Sequence, residues 1–464
     1  MKWNAGGNVM GSGTRLLLLV ALTAIGIDAA LAQSVYAPMA PATASQVANP
    51  YSSQYRPYGT TAGQQQPIPP GQPGQTATAP PYQGIGYKAD NNVIWYPSVT
   101  AAAFYDDNVF ARNTNRQGDW AGVIRPELAW RTNNWANLEM AGSAFVERRV
   151  YDRFDSENQT NGGVVFGASL RPGENTQVIT RFSYLHAHED RGTSDTINTA
   201  FTRPISYDQI DGAGVINQRY GRFWTSIGAA AAFVHFGEGV IAGFPISQNY
   251  RSGSIASAPV RVGYVVAPLT SVFAEVSANQ RNFHVNAFDS KGWRVVGGAL
   301  FEPGPGSRIK GEVYGGWMTQ DYGFGFQDVS TFTFGSALAF LLMPNLTAVL
   351  EGRRDAREAS LSGGIFAGLP GDGVSVVETV VSGRMDWAVR PDLVLGGGVA
   401  YIQDDYLGTG RSDHAWSPLA SLKYFPNRHV TLGFDYRYVN FDSSGLGVLS
   451  YYRNVYLFSA NVRL

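Results

Sequence analysis

The chain has 464 residues, a formal net charge of -1 and 15% charged residues, against roughly 25% in ordinary globular proteins. Near-neutrality excludes binding of nucleic acid or an acidic polymer by charge alone, and the absence of cysteine excludes disulfides, thiolate metal sites and cysteine nucleophiles. Aromatic residues at 13%, 54 glycines and a mean hydropathy of -0.13 exclude a bundle of membrane helices and suit strands with one face in lipid and the other in water.

The first segment reads as a secretory signal over residues 1–32. Lys2 and Arg15 supply positive charge, Leu16 to Ile27 is a short apolar run, and Ala30-Leu31-Ala32 is an A-x-A cleavage site. The run is too short for a bilayer-spanning helix of about 20 residues. Residues 33–91 are rich in Pro, Gln, Ala, Ser and Thr and lack periodicity. Such a segment buries too little apolar area to offset its ordering entropy, so it is expected to be a disordered periplasmic tail. Within it, Gln65-Gln66-Pro67-Ile68-Pro69-Pro70 has the composition of a polyproline II docking segment.

Residues 92–464 have a different texture. Period-two segments recur to the end of the chain. In Val430 to Val439, one face carries Val430, Leu432, Phe434, Tyr436 and Tyr438; the other carries Thr431, Gly433, Asp435 and Arg437, with Val439 as the exception. Alternation of this kind separates a greasy strand face from a wet one. Residues 271–281 and Leu346 to Arg357 repeat it, and charge at every second position defeats an amphipathic helix. Tight Pro-, Gly- or Asn-rich breaks alternate with longer polar ones. The tight breaks fall at 131–134, 171–175, 219–222, 267–270, 302–306, 343–346, 390–393 and 425–428. Longer breaks include 107–119, 151–160, 189–206, 236–251, 359–374 and 442–450. Short periplasmic turns and long outer loops are the asymmetry of outer-membrane barrels. The pattern predicts an all-β, transmembrane, antiparallel up-and-down barrel of about 18 strands, with 16 as the alternative count. A soluble sandwich or propeller explains neither the turn–loop alternation nor the apolar last strand.

That last strand, with Tyr456, Phe458, Ala460, Val462 and Leu464 alternating, is similar to the signal read by the barrel-assembly machinery, with Leu in place of the usual terminal Phe. Near the other end, Tyr105-Asp106-Asp107-Asn108-Val109-Phe110 resembles the opening motif of the outer-membrane porin family known as beta-barrel porin 2. Pro126, Glu127, Leu128 and Trp130 continue the match on the next strand. The resemblance implies a large single-chain barrel and, by analogy with some relatives, exopolysaccharide export. It offers no catalytic residues to carry over. Physically, Phe104 and Tyr105 suit the outer aromatic girdle. Asp106, Asp107 and Asn108 read either as an Asx-rich loop start or as ligands for a bridging cation.

Two other constellations bear on chemistry. His186 and His188 share a strand face before Glu189 and Asp190, the spacing of a surface metal site. Ser412-Asp413-His414 holds the residue types of a hydrolase, but strand neighbours point opposite ways. Neither pattern outweighs its ordinary structural reading, so no catalytic residue, metal site or cofactor is expected. The wet strand faces predict the lumen instead: Glu139, Arg181, Glu275, Arg281, Arg308, Lys310, Glu312, Tyr314, Glu351, Arg353, Asp355, Arg357, Arg384, Asp386, Asp435 and Arg437. A charge at the lipid midplane costs roughly 2–4 kcal/mol, which favours inward placement. Both signs are interspersed, which suits neutral or weakly charged hydrophiles, and Tyr314 is the candidate for stacking on a sugar ring. A wall of internal salt bridges is the alternative use of the same residues. A barrel this wide holds an aqueous channel unless loops such as 189–206 or 236–251 fold in. The expected function is passage of polar solute or exopolysaccharide; the rival is a plugged structural or adhesive barrel. Expected partners are outer-membrane lipid and lipopolysaccharide, the barrel-assembly machinery, and a polysaccharide or small polar solute.

Overall fold

The computed structural model describes residues 87–88, 93–132, 137–189, 191–192, 201–241, 243–302, 307–323, 326–360, 373–444 and 450–463. Residues 1–86, which hold the expected signal segment and most of the tail, lie outside the described residues.

A two-residue strand, β1 (Tyr87–Lys88), precedes β2 (Val93–Asp106), β3 (Asp119–Thr132), β4 (Leu138–Tyr151), β5 (Gln159–Gly173), β6 (Thr176–His188), β7 (Ser206–Tyr220) and β8 (Phe223–Phe236). A small hairpin of β9 (Glu238–Ile241) and β10 (Phe244–Ser247) follows. The wall resumes with β11 (Gly253–Ala267), β12 (Thr270–Phe283), β13 (Ser290–Phe301), β14 (Ile309–Tyr322), β15 (Val329–Met343) and β16 (Leu346–Ser360). It ends with β17 (Gly373–Arg390), β18 (Leu393–Tyr406), β19 (Arg411–Asn427), β20 (Val430–Ser443) and β21 (Tyr451–Arg463). Eighteen of these strands, β2–β8 and β11–β21, each pair antiparallel with their chain neighbours, and β21 pairs with β2 to close the barrel. The strand ends that flank the eight tight breaks lie at one end, where both termini of the wall also lie. The long breaks lie at the other, which is the outer end by the usual asymmetry.

The outside is apolar. Val260, Val262, Val272, Val276, Trp293, Trp317, Phe332 and Phe458 are all exposed, Val276 to 54%. One residue away, inward-facing Glu275 is 1% exposed. A water-soluble sheet does not present such a belt, and lipid is the solvent it fits.

Proline interrupts the ladder at three places. Pairing is missing around Pro126 between β3 and β4, around Pro259 between β8 and β11, and around Pro418 between β19 and β20. Each proline lacks the N–H that the ladder would use there.

Inside, rings lie over glycines of neighbouring strands. A Cβ at Gly263 would come within 2.1 Å of the Trp224 ring, and one at Gly335 within 2.2 Å of the Tyr314 ring. Only glycine leaves room for these aromatics to lie flat against the wall.

Candidate functional site

Phase along each strand decides which side chains meet the interior. Every predicted lumen residue except Arg308 lies on a strand, on the phase opposite the exposed apolar residues. Arg308 sits just before β14, exposed, in the turn region. The inward residues nevertheless divide into distinct environments.

On β11–β14 they form a dry network. Arg261 donates to Glu275 at 2.8 and 3.0 Å and to Glu312 at 2.7 Å, while Arg294 donates to Glu275 at 3.1 Å. The Arg261 guanidinium lies 3.9 Å from the Phe273 ring centroid. Arg294 lies over Tyr314 at 5.4 Å, and Tyr314 packs with Trp224, Phe273, Val296 and Leu300. Tyr314 therefore faces inward but is covered; its ring is 5% exposed and offers no face for a sugar. Arg125, Glu127, Glu147 and Arg149 make a second ionic group on β3 and β4. A buried ion pair survives only when its partners satisfy one another, because unpaired charge in a dry interior is costly.

On β16–β20, toward the short-turn end, the inward residues stay within reach of water. Glu351 is exposed, and Arg384, Asp386, Lys423, Asp435 and Arg437 are half-buried. Arg384 and Asp386 pair at 2.8 Å and lie over inward Gly396, where a Cβ would come within 2.8 Å of Asp386 Oδ1. Toward the outer end the same strands are tied up. Glu378 takes Arg353 and Arg357, and Arg357 also reaches Asp404 at 2.7 Å. Glu139 meets Arg171 at 3.7 Å.

The outer mouth is filled from several directions. The 107–118 loop turns inward, burying Val109 among Phe104, Tyr151, Val455 and Leu457, and Ala111 among Ala415, Val439, Phe441 and Tyr451. This explains the odd apolar residue Val439 on an otherwise wet face: it seats the loop. The 189–206 break also contributes. Arg191 binds Glu157, Glu189 binds Arg251, and the Tyr451 hydroxyl donates to Gly192 O at 2.8 Å. A cavity of about 10 Å³, room for one water, is lined there by Asp106, Arg149, Glu157, Arg191 and Arg453 among others.

The opening motif builds this arrangement. Asp106 Oδ1 accepts from Asn108 N, and Asn108 in turn holds Arg112 O and N and Tyr452 O. Asp107 accepts from Asn454 N at 2.7 Å and from Asn454 Nδ2 at 2.8 Å, joining the first wall strand to the last. Arg453 approaches Asp106 at 3.5 Å. These carboxylates serve as the scaffold of the loop, the first of the two readings offered by the sequence. Phe104 differs from expectation. It faces inward against Tyr151, so the girdle contact at this strand end is Tyr105 with Trp120, 5.4 Å apart. Phase alone gives this result, because Phe104 shares a face with Asp106 and Ala102.

In the remaining constellations the same alternation sets Asp413 apart from Ser412 and His414, whose Oγ and Nε2 lie 3.3 Å apart, and keeps His186 beside His188, their rings 5.5 Å apart. Ser412, Asp413 and His414 lie at the start of β19, directly after the loop that precedes Arg411. Asp413 faces inward to Arg411 and Ser443. Ser412 and His414 face outward; Ser412 donates to Asp405 at 2.9 Å, and His414 Nδ1 meets the Tyr401 hydroxyl at 2.7 Å. No carboxylate orients the imidazole in the manner of a triad. His186 pairs with Asp208 and His188 with Asn161. Among the described residues, no group of three or more His, Asp or Glu could hold a metal ion.

A family model described as "Putative beta-barrel porin 2" matches residues 79–464. No curated protein matches the chain. Among solved structures the chain is similar to Pseudomonas aeruginosa OpdO at 14% identity, covering 80% of this chain and 97% of that one, with a TM-score of 0.41. It is also similar to Pseudomonas aeruginosa OccK11 (OpdR) at 13% identity, covering 80% and 96%, with a TM-score of 0.38. A BenF-like porin from Pseudomonas fluorescens Pf-5 matches at 11% identity over 80% and 99%, with a TM-score of 0.40.

Proposed function

The chain belongs to the beta-barrel porin 2 family of outer-membrane barrels, and on that premise we propose that it passes polar solutes, exopolysaccharide among them, through its lumen without chemistry. The observation that carries the reading is the water-reached sector of β16–β20, where Glu351, Arg384, Asp386, Lys423, Asp435 and Arg437 line the interior toward the short turns. Both signs alternate there, so the sector offers hydrogen bonds to hydroxyls without a net field that rejects either ion. A neutral or weakly charged hydrophile is the cargo such a wall suits.

In this reading residues 1–32 are removed on export and residues 33–91 extend into the periplasm. The barrel-assembly machinery inserts the chain, and lipopolysaccharide surrounds its outer rim. The filled outer mouth favours a second reading, a plugged barrel that displays its loops.

Single-channel conductance of the refolded mature barrel in a planar bilayer separates the two, with liposome swelling by neutral sugars as a check on cargo size. Open steps and sugar flux are expected, and deleting residues 33–88 tests whether the tail gates. A folded barrel that carries neither ions nor sugar in either form overturns the channel reading.

A further inference from the structure

The wall between β15 and β16 is incomplete. Their ladder runs from the short turn to Phe334 and Arg354 and stops, although β15 begins at Val329 and β16 continues to Ser360. The β16–β17 ladder does not stop there; it runs on to Ser360 opposite Gly373. The ends of these two strands therefore travel together, away from β15.

Phase shows where they go. On the lower parts of both strands the outward phase is lipid-facing, with Leu350, Val381 and Met385 exposed. Beyond Arg354 the same phase carries Ala356, Glu358 and Val377, and all three are buried. Ala356 and Val377 pack against Met318, Tyr322 and Val329, which are inward-facing residues of β14 and β15. A residue on the outward phase touches the inner face of the wall only if its strand has moved inside the barrel. The opposite phase, Arg357, still pairs with Glu378 and Asp404. Four consecutive residues of β17, Ser375 to Glu378, are buried on both faces, as a strand inside a barrel must be.

Ser375 Oγ on the outward phase donates to Gln327 O at 2.6 Å, and one carboxylate gathers several further attachments. Glu358 accepts from Arg281 Nη1 at 2.8 and 3.0 Å, from Ser290 Oγ at 3.3 Å and from the Tyr322 hydroxyl at 2.9 Å. These donors come from β12, β13 and β14. Arg281 also donates to Ala356 O at 3.0 Å. An apolar pad and an ionic hub stand here in place of a strand ladder.

We infer that the outer segments of β16 and β17, residues 355–360 and 373–378, are a latch that biases the lumen toward its closed level, released by loss of the Arg281–Glu358 clasp. The latch rests on the channel reading above. On the β15 side its displacement breaks no strand pairing, since that ladder is already absent; on the β18 side the pairs Val376–Tyr406, Val377–Asp405 and Glu378–Asp404 must hinge with it. In the open state Arg281 and Glu358 regain water, which removes the cost of separating them.

The test is conductance of the full mature chain and of two variants, Glu358→Gln and Arg281→Gln, with heat-modifiable gel mobility as the control for a folded barrel. A third variant carries Ala356→Cys and Met318→Cys in the Glu358→Gln background, joined by a short reducible thiol cross-linker; the native chain has no cysteine to interfere. Each clasp variant is expected to raise the open-to-closed ratio by roughly tenfold or more, the loss of one charged hydrogen bond. Cross-linking is expected to return the channel to the closed level, and reduction to reopen it. Equal conductance in all forms, unaffected by the cross-link, overturns the latch and leaves the channel intact. Silence in all forms, with folded barrels, overturns both.

Discussion

On β11–β14, Arg261, Glu275, Arg294 and Glu312 bury one another beneath Phe273 and Tyr314. On β17–β20, Arg384, Asp386, Lys423, Asp435 and Arg437 hold the same inward phase and remain half-open to water. Residue type and strand phase are alike in the two sectors; what differs is the packing in front of them. The first wall has large rings seated over glycines and no room for solvent. The second has Gly396, Gly398 and Gly433 on its inner face and no ring laid across them. An inward charge thus becomes either structure or lining according to its neighbours across the strand.

The contrast can be attacked where it is steepest. Glu275→Ala leaves Arg261 with one partner fewer and Arg294 stripped of its carboxylate in a dry site. A loss of about 3–5 kcal/mol is expected in denaturant unfolding from lipid, and a loss under about 1 kcal/mol would mean water reaches that wall after all. Its neighbour Val276 sits on the lipid side, so Val276→Arg tests the other face of the same strand. Roughly 2–4 kcal/mol should be lost if the position is near the midplane, and refolding yield into vesicles gives a second readout. At the outer rim, Asp107→Ala removes two hydrogen bonds to Asn454, and about 1–2 kcal/mol should go with them. The smallest stability effect belongs to the wet sector. Arg384→Ala should cost less than about 1 kcal/mol because water screens its pair. It should nevertheless shift the reversal potential in a salt gradient toward cation preference, and an unchanged potential would place the ion path elsewhere.

The barrel was legible because its two signals are independent. Alternation marks each strand, and the tight turns fall on every second break, so the strand count and the sidedness of both termini follow from local residues alone. The interior was less legible. Glu358 stands on the greasy phase of β16, and a charge there was the available sign that the strand leaves lipid. Val439 gave a similar sign, since an apolar residue on a wet face needs something apolar to cover it. Tyr314 gave none: its burial depends on Arg294 and Trp224, which approach from other strands and cannot be read from spacing along its own. Asp106, Asp107 and Asn108 were visible as a motif, but their partners lie at the far end of the chain.

That last separation carries a consequence for assembly. Asp107 and Asn454 are 347 residues apart in sequence. The contacts that finish the wall are therefore among the most nonlocal in the chain and impose its largest loop-closure entropy. Until the 13 residues of β21 arrive, β2 and β20 both present bare strand edges, which hydrocarbon does not tolerate and which invite pairing with another chain. Closure is thus a kinetic hazard as well as a bond, and the interval before the two ends meet is when this chain most needs an escort.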